Sequence, residues 1–392
     1  MPLVDREAAV FIHTYKRLPL EIDRGEDVYL VSRDGTRFLD MFSGLAVNAL
    51  GYAHPRVVRA IEEQARKYTH LSNYFLQEVQ IRLAELLTRH GGFPRIFFCN
   101  SGTEATEGAI KIARLWGSSR GKAEILSFSN AFHGRTMGAL SLMDRPKYRS
   151  GFGPFLDHCS VAEFNDPSSL RQAVTPSTAA VLLECIQGEG GIRPVSGEFV
   201  RTLNELQSRF GFLIIADEIQ SGLGRTGKFF AFQHFDLRPD LVLMAKPIGG
   251  GLPLGAILAT EETAAVLEPG MHGTTFGGNP VACAAGIATV SEIIEQNLVA
   301  RAESLGTYLL DELRSLQSKF PGLVKEVRGF GLMAGMDLNG EGDSVVNALR
   351  DRRILINCTD QTVLRFLPPL TIRREHIDLT RAALEEALSA RK

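Results

Sequence analysis

Through the middle of the chain, short apolar runs that end in polar residues or glycine alternate with segments whose apolar positions recur at helical spacing. The runs occupy residues 95–99, 124–128, 180–184, 212–216, 241–245 and 256–259. Apolar side chains on successive positions predict strands covered on both faces, and their alternation with helical segments predicts a mostly parallel, doubly covered sheet. Ligands of such sheets bind outside the carboxyl ends of the strands, so the residues just after each run are where chemistry is expected. From about residue 289 the pattern changes. An amphipathic helix is predicted near 301–320, short strands at 324–328, 331–337 and 363–366, and a last helix over 374–390. The opening segment predicts hairpin strands at 27–32 and 37–40 around Asp34-Gly35. The expected organisation is therefore α/β. Residues 46–288 form a large domain with the mostly parallel sheet, residues 289–392 a smaller α+β domain, and residues 1–45 a segment that packs with the smaller one.

Composition narrows the partners. The chain has 392 residues, 44% of them hydrophobic, and its 43 basic and 45 acidic side chains leave a net charge of -2. That balance gives no electrostatic footprint for nucleic acid or an anionic membrane and favours small-molecule partners. The five cysteines lack C-x-x-C spacing, which argues against a zinc site and a disulfide framework, so no metal is expected and a reducing cytoplasm fits best. No apolar stretch approaches the roughly 20 residues of a membrane helix.

Candidate chemistry falls at the predicted strand ends. Lys246 follows Leu241-Val242-Leu243-Met244-Ala245, where burial lowers an amine's pKa toward its nucleophilic form and suits covalent chemistry with a carbonyl. Asp217 ends another apolar run, where a buried carboxylate is suited to holding a ring nitrogen protonated. Asn100-Ser101-Gly102-Thr103-Glu104-Ala105 joins a strand to a helix and offers hydroxyls, backbone N–H groups and a helix dipole to a phosphate. Asn130-Ala131-Phe132-His133-Gly134-Arg135-Thr136 puts an aromatic ring for stacking beside a guanidinium that suits a carboxylate. Gln220 opens a glycine-rich loop whose spacing is wrong for a dinucleotide fingerprint, and His272 opens another polar, glycine-rich loop. Each feature alone has a plainer reading: a solvated strand-end lysine, an ordinary helix cap, a turn-capping aspartate, a core histidine.

Together these stretches resemble the class III (subgroup II) pyridoxal-phosphate aminotransferases of fold type I over nearly the whole chain. The ordered motifs are Ser101-Gly102-Thr103-Glu104-Ala105, Phe132-His133-Gly134-Arg135-Thr136, Glu184 with Gln187-Gly188-Glu189-Gly190-Gly191, Asp217-Glu218-Ile219-Gln220, Ala245-Lys246, Gly273-Thr274-Thr275-Phe276-Gly277-Gly278-Asn279-Pro280 and Arg365-Phe366-Leu367-Pro368-Pro369-Leu370. The resemblance implies pyridoxal 5'-phosphate as cofactor, carried by Lys246, which also shuttles a proton between the substrate carbon and the cofactor. It assigns Asp217 to the ring nitrogen, Ser101, Gly102 and Thr103 to the phosphate, Phe132 and Ile219 to the two ring faces, and Gln220 to the ring oxygen. Thr275 would reach the phosphate in the neighbouring subunit of a homodimer with shared active sites. Arg135 would bind a substrate carboxylate, and Glu189 would shield Arg365 until an α-carboxylate of glutamate or 2-oxoglutarate arrives.

Within the family, Ser43-Gly44-Leu45-Ala46-Val47-Asn48 and the stretch from Arg365 to Leu370 look most like the acetylornithine members. These move the δ-amino group of N2-acetylornithine to 2-oxoglutarate in arginine biosynthesis, and Gly44, where the ornithine members place tyrosine, leaves room for an acyl group. Tyr15 with Pro19 resembles the ornithine members and is carried as a substrate-binding residue. Ornithine, succinylornithine, 4-aminobutyrate or a carrier-linked lysine are the alternative donors, with an aminomutase more remote. Cys185 and Pro247 depart from the family pattern. Outside the family, a nucleotide-binding oxidoreductase is disfavoured by the missing fingerprint, and a non-catalytic binding protein by the intact Lys246 and Asp217.

Overall fold

The computed structural model describes residues 3–391. A seven-stranded sheet runs in the order Arg95–Cys99, Gly255–Ala259, Leu241–Met244, Leu213–Asp217, Thr178–Leu183, Glu124–Phe128, Cys159–Ala162. The last five of these pair in parallel, and Gly255–Ala259 runs antiparallel to both neighbours. The strands Thr178–Leu183, Leu213–Asp217, Leu241–Met244 and Gly255–Ala259 are buried at every position. That is why they read as unbroken apolar runs: successive side chains point to opposite faces, and both faces are covered. Leu213 and Ile215 join Ala109, Ala113 and Trp116 of the helix Gly102–Ser118 in one core cluster. Ile214 and Ala216 face the other way, into the cluster of Phe199, Leu203, Ala282 and Ala285. Each such leucine or isoleucine contributes about 1.5–3 kcal/mol by burial.

The strand Cys159–Ala162 was not expected from the sequence. It lies on the sheet edge with a partly exposed side, so it carries only a weak apolar signature. The opening segment holds three antiparallel strands, Ile22–Glu26, Tyr29–Ser32 and Arg37–Asp40, one more than the predicted hairpin. Arg37–Asp40 also pairs in parallel with Ile354–Leu355, so the start of the chain is stitched to its end. A second four-stranded sheet, Val324–Phe330, Met333–Leu338, Val363–Phe366 and Asn357–Thr359, is antiparallel throughout. The helices Leu298–Lys319 and Arg374–Ser389 belong to the same C-terminal region. Among the described residues no helix is long and apolar enough to cross a membrane.

Candidate active site

Strand register brings the acidic and basic groups level. Ala216 pairs with Leu183 and Asp217 with Leu243, so Asp217, Glu184 and the Ala245-Lys246 turn emerge at the same edge of the sheet. They open on a cavity of about 460 Å³ that is also lined by Ser101, Gly102, Thr103, Phe132, Arg135, Glu189, Ile219 and Gln220.

Lys246 takes a left-handed backbone, φ 52°, and begins the one-turn 3-10 helix Lys246–Gly249. For a residue with a side chain this conformation costs about 1–2 kcal/mol. Pro247 follows it and lacks an N–H, and the turn closes through Gly250 N–H to the Pro247 carbonyl. Burial pushes the Lys246 amine down to about 8, opposed by the Glu189 carboxylate and reinforced by the Arg365 guanidinium.

Asp217 is 4% exposed. Its Oδ2 lies 2.7 Å from His133 Nδ1, and its Oδ1 accepts the Ile219 N–H at 3.1 Å. The other ring nitrogen of His133, Nε2, is buried without a partner among the described residues. Glu184 accepts the backbone N–H groups of Phe132 and Gly188, each at 3.0 Å, and so joins the loop carrying Phe132 to the loop carrying Glu189. Burial, with the Asp217 charge beside it, pushes the Glu184 carboxyl upward.

At the opposite end, Ser101 caps the helix Gly102–Ser118, its Oγ accepting from Glu104 N–H at 3.3 Å. The N–H groups of the first helical turn have no acceptor inside the helix and carry the positive end of its dipole. Thr103 Oγ1 bonds Thr136 Oγ1 at 2.8 Å. A Cβ at Gly134 would lie 2.2 Å from Thr103 Oγ1, so only glycine lets the Phe132 loop approach so closely.

Two arginines complete the site. Arg135 is exposed toward the cavity, with its guanidinium 4.1 Å above the Tyr148 ring and 5.3 Å from the centre of Phe132. Arg365, on the strand Val363–Phe366, is 1% exposed. Its Nη1 meets Glu189 Oε1 at 2.5 Å and donates to Gln220 Oε1 at 3.3 Å, while Nε donates to Asn357 Oδ1 at 3.1 Å. Burial pushes Glu189 upward, but the charge and hydrogen bond of Arg365 outweigh it and hold the carboxyl below its ordinary range.

One cavity thus gathers Lys246, Asp217, Ser101, Gly102, Thr103, Phe132, Ile219, Gln220, Arg135 and Glu189, with Arg365 directly behind Glu189. One expected residue is not brought to it: Tyr15 is 76% exposed in the irregular segment before Ile22. Thr275, expected at a neighbouring subunit's phosphate, is exposed on its own loop. Three others stand in or against the site without a role having been expected of them. Glu184 carries the same strand-end carboxylate signal as Asp217. Asn357 reaches Arg365 only through the antiparallel register that pairs them, and Tyr148 is an isolated aromatic; neither has a sequence signal. The arrangement offers an amine near neutrality, a buried carboxylate, a helix N-terminus for an anion and two guanidinium groups for carboxylates.

The family described as Aminotransferase class-III matches residues 10–388, and the chain belongs to that family of transaminases. Among curated relatives, the chain is similar to acetylornithine aminotransferase from Methanocaldococcus jannaschii, 43% identical over 98% of both chains. It is also 43% identical to the enzyme of that name from Aquifex aeolicus, over 96% of this chain and 99% of the relative. Among solved structures it resembles ornithine aminotransferase from Toxoplasma gondii, with TM-score 0.94 and 31% identity over 99% of this chain and 94% of the other. An amine transaminase from an uncultivated Pseudomonas species, solved in its PLP-bound form, matches with TM-score 0.90 and 28% identity over 97% and 98% of the two chains.

Proposed function

We propose that this aminotransferase uses pyridoxal 5'-phosphate to move the δ-amino group of N2-acetylornithine to 2-oxoglutarate, as a cytoplasmic homodimer serving arginine biosynthesis. The observation that carries the reading is the pairing, at the cavity beside Lys246, of an open guanidinium in its wall, Arg135, with a second just behind the wall, Arg365, which Glu189 covers. The full-length similarity to acetylornithine aminotransferases selects the donor.

The residues present fit the cofactor. Lys246 supplies an amine for its aldehyde, Asp217 a buried carboxylate for its ring nitrogen, Phe132 and Ile219 apolar walls for its ring, and Gln220 an amide for its ring oxygen. The helix end at Ser101, Gly102 and Thr103 supplies donors for its phosphate. A Cβ at Gly102 would stand 2.8 Å from Ile219 Cδ1, so glycine keeps that corner open. When bound, pyridoxal phosphate supplies a carbonyl that condenses with amines and a cationic ring that takes up electron density from the adjacent carbon.

The chain's own groups do the rest. Arg135 holds the α-carboxylate of the acetylated donor and orients its δ-amine toward Lys246. Lys246 Nζ takes the proton from the amine-bearing carbon and returns it, a task that suits an amine near neutrality. In the second half-reaction the α-carboxylate of 2-oxoglutarate displaces Glu189 from Arg365. With the donor bound, Glu189 keeps Arg365 covered, which lets one pocket take two differently shaped substrates.

Support for the dimer comes from an apolar patch. Tyr74, Phe75 and Leu76 are 96%, 64% and 94% exposed, and Phe276 is 58% exposed. The two segments adjoin, since Asn73 Nδ2 donates to the carbonyls of Thr274 and Gly277. In this reading a second copy covers the patch, and the exposed Thr275 beside Phe276 is the residue offered to the partner's phosphate site. The test is transamination to 2-oxoglutarate from N2-acetylornithine against free ornithine. The acetylated donor is expected to be preferred, and preference for ornithine overturns the assignment.

A further inference from the structure

Arg225 is 2% exposed, and among the described residues no acid offsets the burial that lowers its pKa to about 9. A buried cation without a carboxylate is costly, and an apolar side chain of similar volume would ordinarily be cheaper. What it touches is backbone. Its Nη1 donates to the carbonyl of Pro368 and, at 3.3 Å, to that of Leu332, while its own carbonyl accepts Leu332 N–H at 2.9 Å. The two segments are in contact at Gly331 as well, where a Cβ would lie 2.5 Å from the Thr226 carbonyl carbon.

These bonds close a circuit around the carboxylate-binding side of the site. Gln220, on the same loop as Arg225, accepts from Arg365 at 3.3 Å. Arg365 lies three residues before Pro368, just past the end of its strand, and Pro368 is held by Arg225. The neighbouring Leu367 is fixed from the other flank, its carbonyl accepting Ser43 Oγ at 2.6 Å and its N–H donating to the Met41 carbonyl at 2.8 Å. Both carbonyls are met by Nη1, whose two N–H groups are fixed in the guanidinium plane, whereas a lysine ammonium is a single point on a flexible stem.

We propose that Arg225 is a positioning residue for acceptor recognition: by holding Pro368 and Leu332 it sets where Arg365 stands relative to Gln220 and Glu189, and so tunes affinity for a dicarboxylic 2-oxo acid. This rests on the reading that Arg365 binds the acceptor's α-carboxylate. It places the larger effect of Arg225 in the acceptor half-reaction, because its side chain donates to Pro368 and Leu332 on the Arg365 side and, among the described residues, makes no hydrogen bond to Arg135, Lys246 or Asp217.

The test compares Arg225→Met, Arg225→Lys and Arg365→Met as cofactor-loaded proteins. Each half-reaction is followed separately by single-turnover absorbance, and binding of unreactive glutarate by calorimetry. Arg225→Met is expected to weaken glutarate binding and raise the 2-oxoglutarate KM by at least about tenfold, the scale on which small misplacements act. The donor half-reaction is expected to stay within about twofold, since uniform damage would lower both. Arg225→Lys should show the same one-sided defect in milder form, and it carries the test if the methionine variant does not fold. If Arg365→Met weakens glutarate but neither Arg225 variant does, or if the Arg225 variants slow both half-reactions alike, the positioning role is wrong while the reading of Arg365 survives. If Arg365→Met leaves glutarate binding unchanged, both fall.

Discussion

The poise of Lys246 can be measured without turnover. Its amine lies at about 8 against an ordinary 10.5, which at about 1.4 kcal/mol per pKa unit is about 3 kcal/mol of preference for the neutral form. The sign follows from the cause: burial penalises the ammonium, so the neutral amine appears at lower pH than in a solvated lysine. At pH 7 about one Lys246 in ten is neutral, against about one solvated lysine in three thousand, a ratio of roughly 300. Competitive acetylation of the cofactor-free protein with trace acetic anhydride between pH 6 and 11, read peptide by peptide by mass spectrometry, gives the midpoint directly. Lys246 should titrate near 8, while exposed lysines in the same sample titrate near their ordinary value. Two neighbours supply an internal check on direction. Glu189→Gln removes the largest charge that raises the amine, so the midpoint should fall further; Arg365→Met removes a charge that lowers it, so the midpoint should rise. A Lys246 midpoint near that of the exposed lysines, or two variants that move it the same way, would refute the electrostatic account.

Asp217→Asn keeps the shape but removes the charge that meets His133 at 2.7 Å. Losing the charge assigned to the cofactor's ring nitrogen, a charge-assisted bond of about 1.5–3 kcal/mol, should cut kcat by about tenfold to a hundredfold, beyond any fall in thermal midpoint from the weakened His133 contact; near-normal kcat would count against its role. Arg135→Met should raise the KM for the amino donor by a similar factor and leave that for 2-oxoglutarate unchanged, which steady-state kinetics with each substrate varied in turn will decide. Phe276→Glu with Leu76→Glu places charge in the exposed apolar patch. Sedimentation velocity should show monomers with lowered cofactor affinity, and an unchanged dimer would move the interface elsewhere.

Much of the large sheet was legible because its strands are buried on both faces, which turns them into unbroken apolar runs. The predicted 124–128 coincides with the strand Glu124–Phe128, and in the smaller sheet 363–366 coincides with the fully buried Val363–Phe366; 95–99 coincides with Arg95–Cys99 although that strand is on the sheet edge. Where one side is open the signal fades, and both Cys159–Ala162 and Ile22–Glu26 were missed for that reason. Lys246 and Asp217 were legible because a charge at the end of an apolar run has to be explained. Asn357 was not, since an asparagine on a short strand looks like any other until the register sets it opposite Arg365. Arg225 was equally hidden: in sequence it is a cation in a glycine-rich loop, a place where solvent exposure is the default expectation, and only the fold shows that it is enclosed.

Strain was the least legible feature, and it sits beside the cavity. Ser43, Gly44, Leu45 and Ala46 take φ of 44°, 63°, 64° and 68°, a left-handed turn in which three residues have side chains. At about 1–2 kcal/mol for each of the three, the turn costs about 3–6 kcal/mol and must be held from outside. The holding groups are identifiable. Asp40 Oδ1 accepts the N–H groups of Phe42 and Ser43 at 2.9 Å, its Oδ2 accepts Tyr52 OH at 2.5 Å, and Ser43 Oγ donates to Leu367. The turn therefore spans from the cavity wall at Val47 to the segment just beyond Arg365. The same conformation recurs at Lys246. A chain free to relax would keep neither, so both record constraints imposed by the assembled fold. Local sequence encodes propensity, while these backbone angles are set by partners up to 324 residues away, such as Leu367 for Ser43.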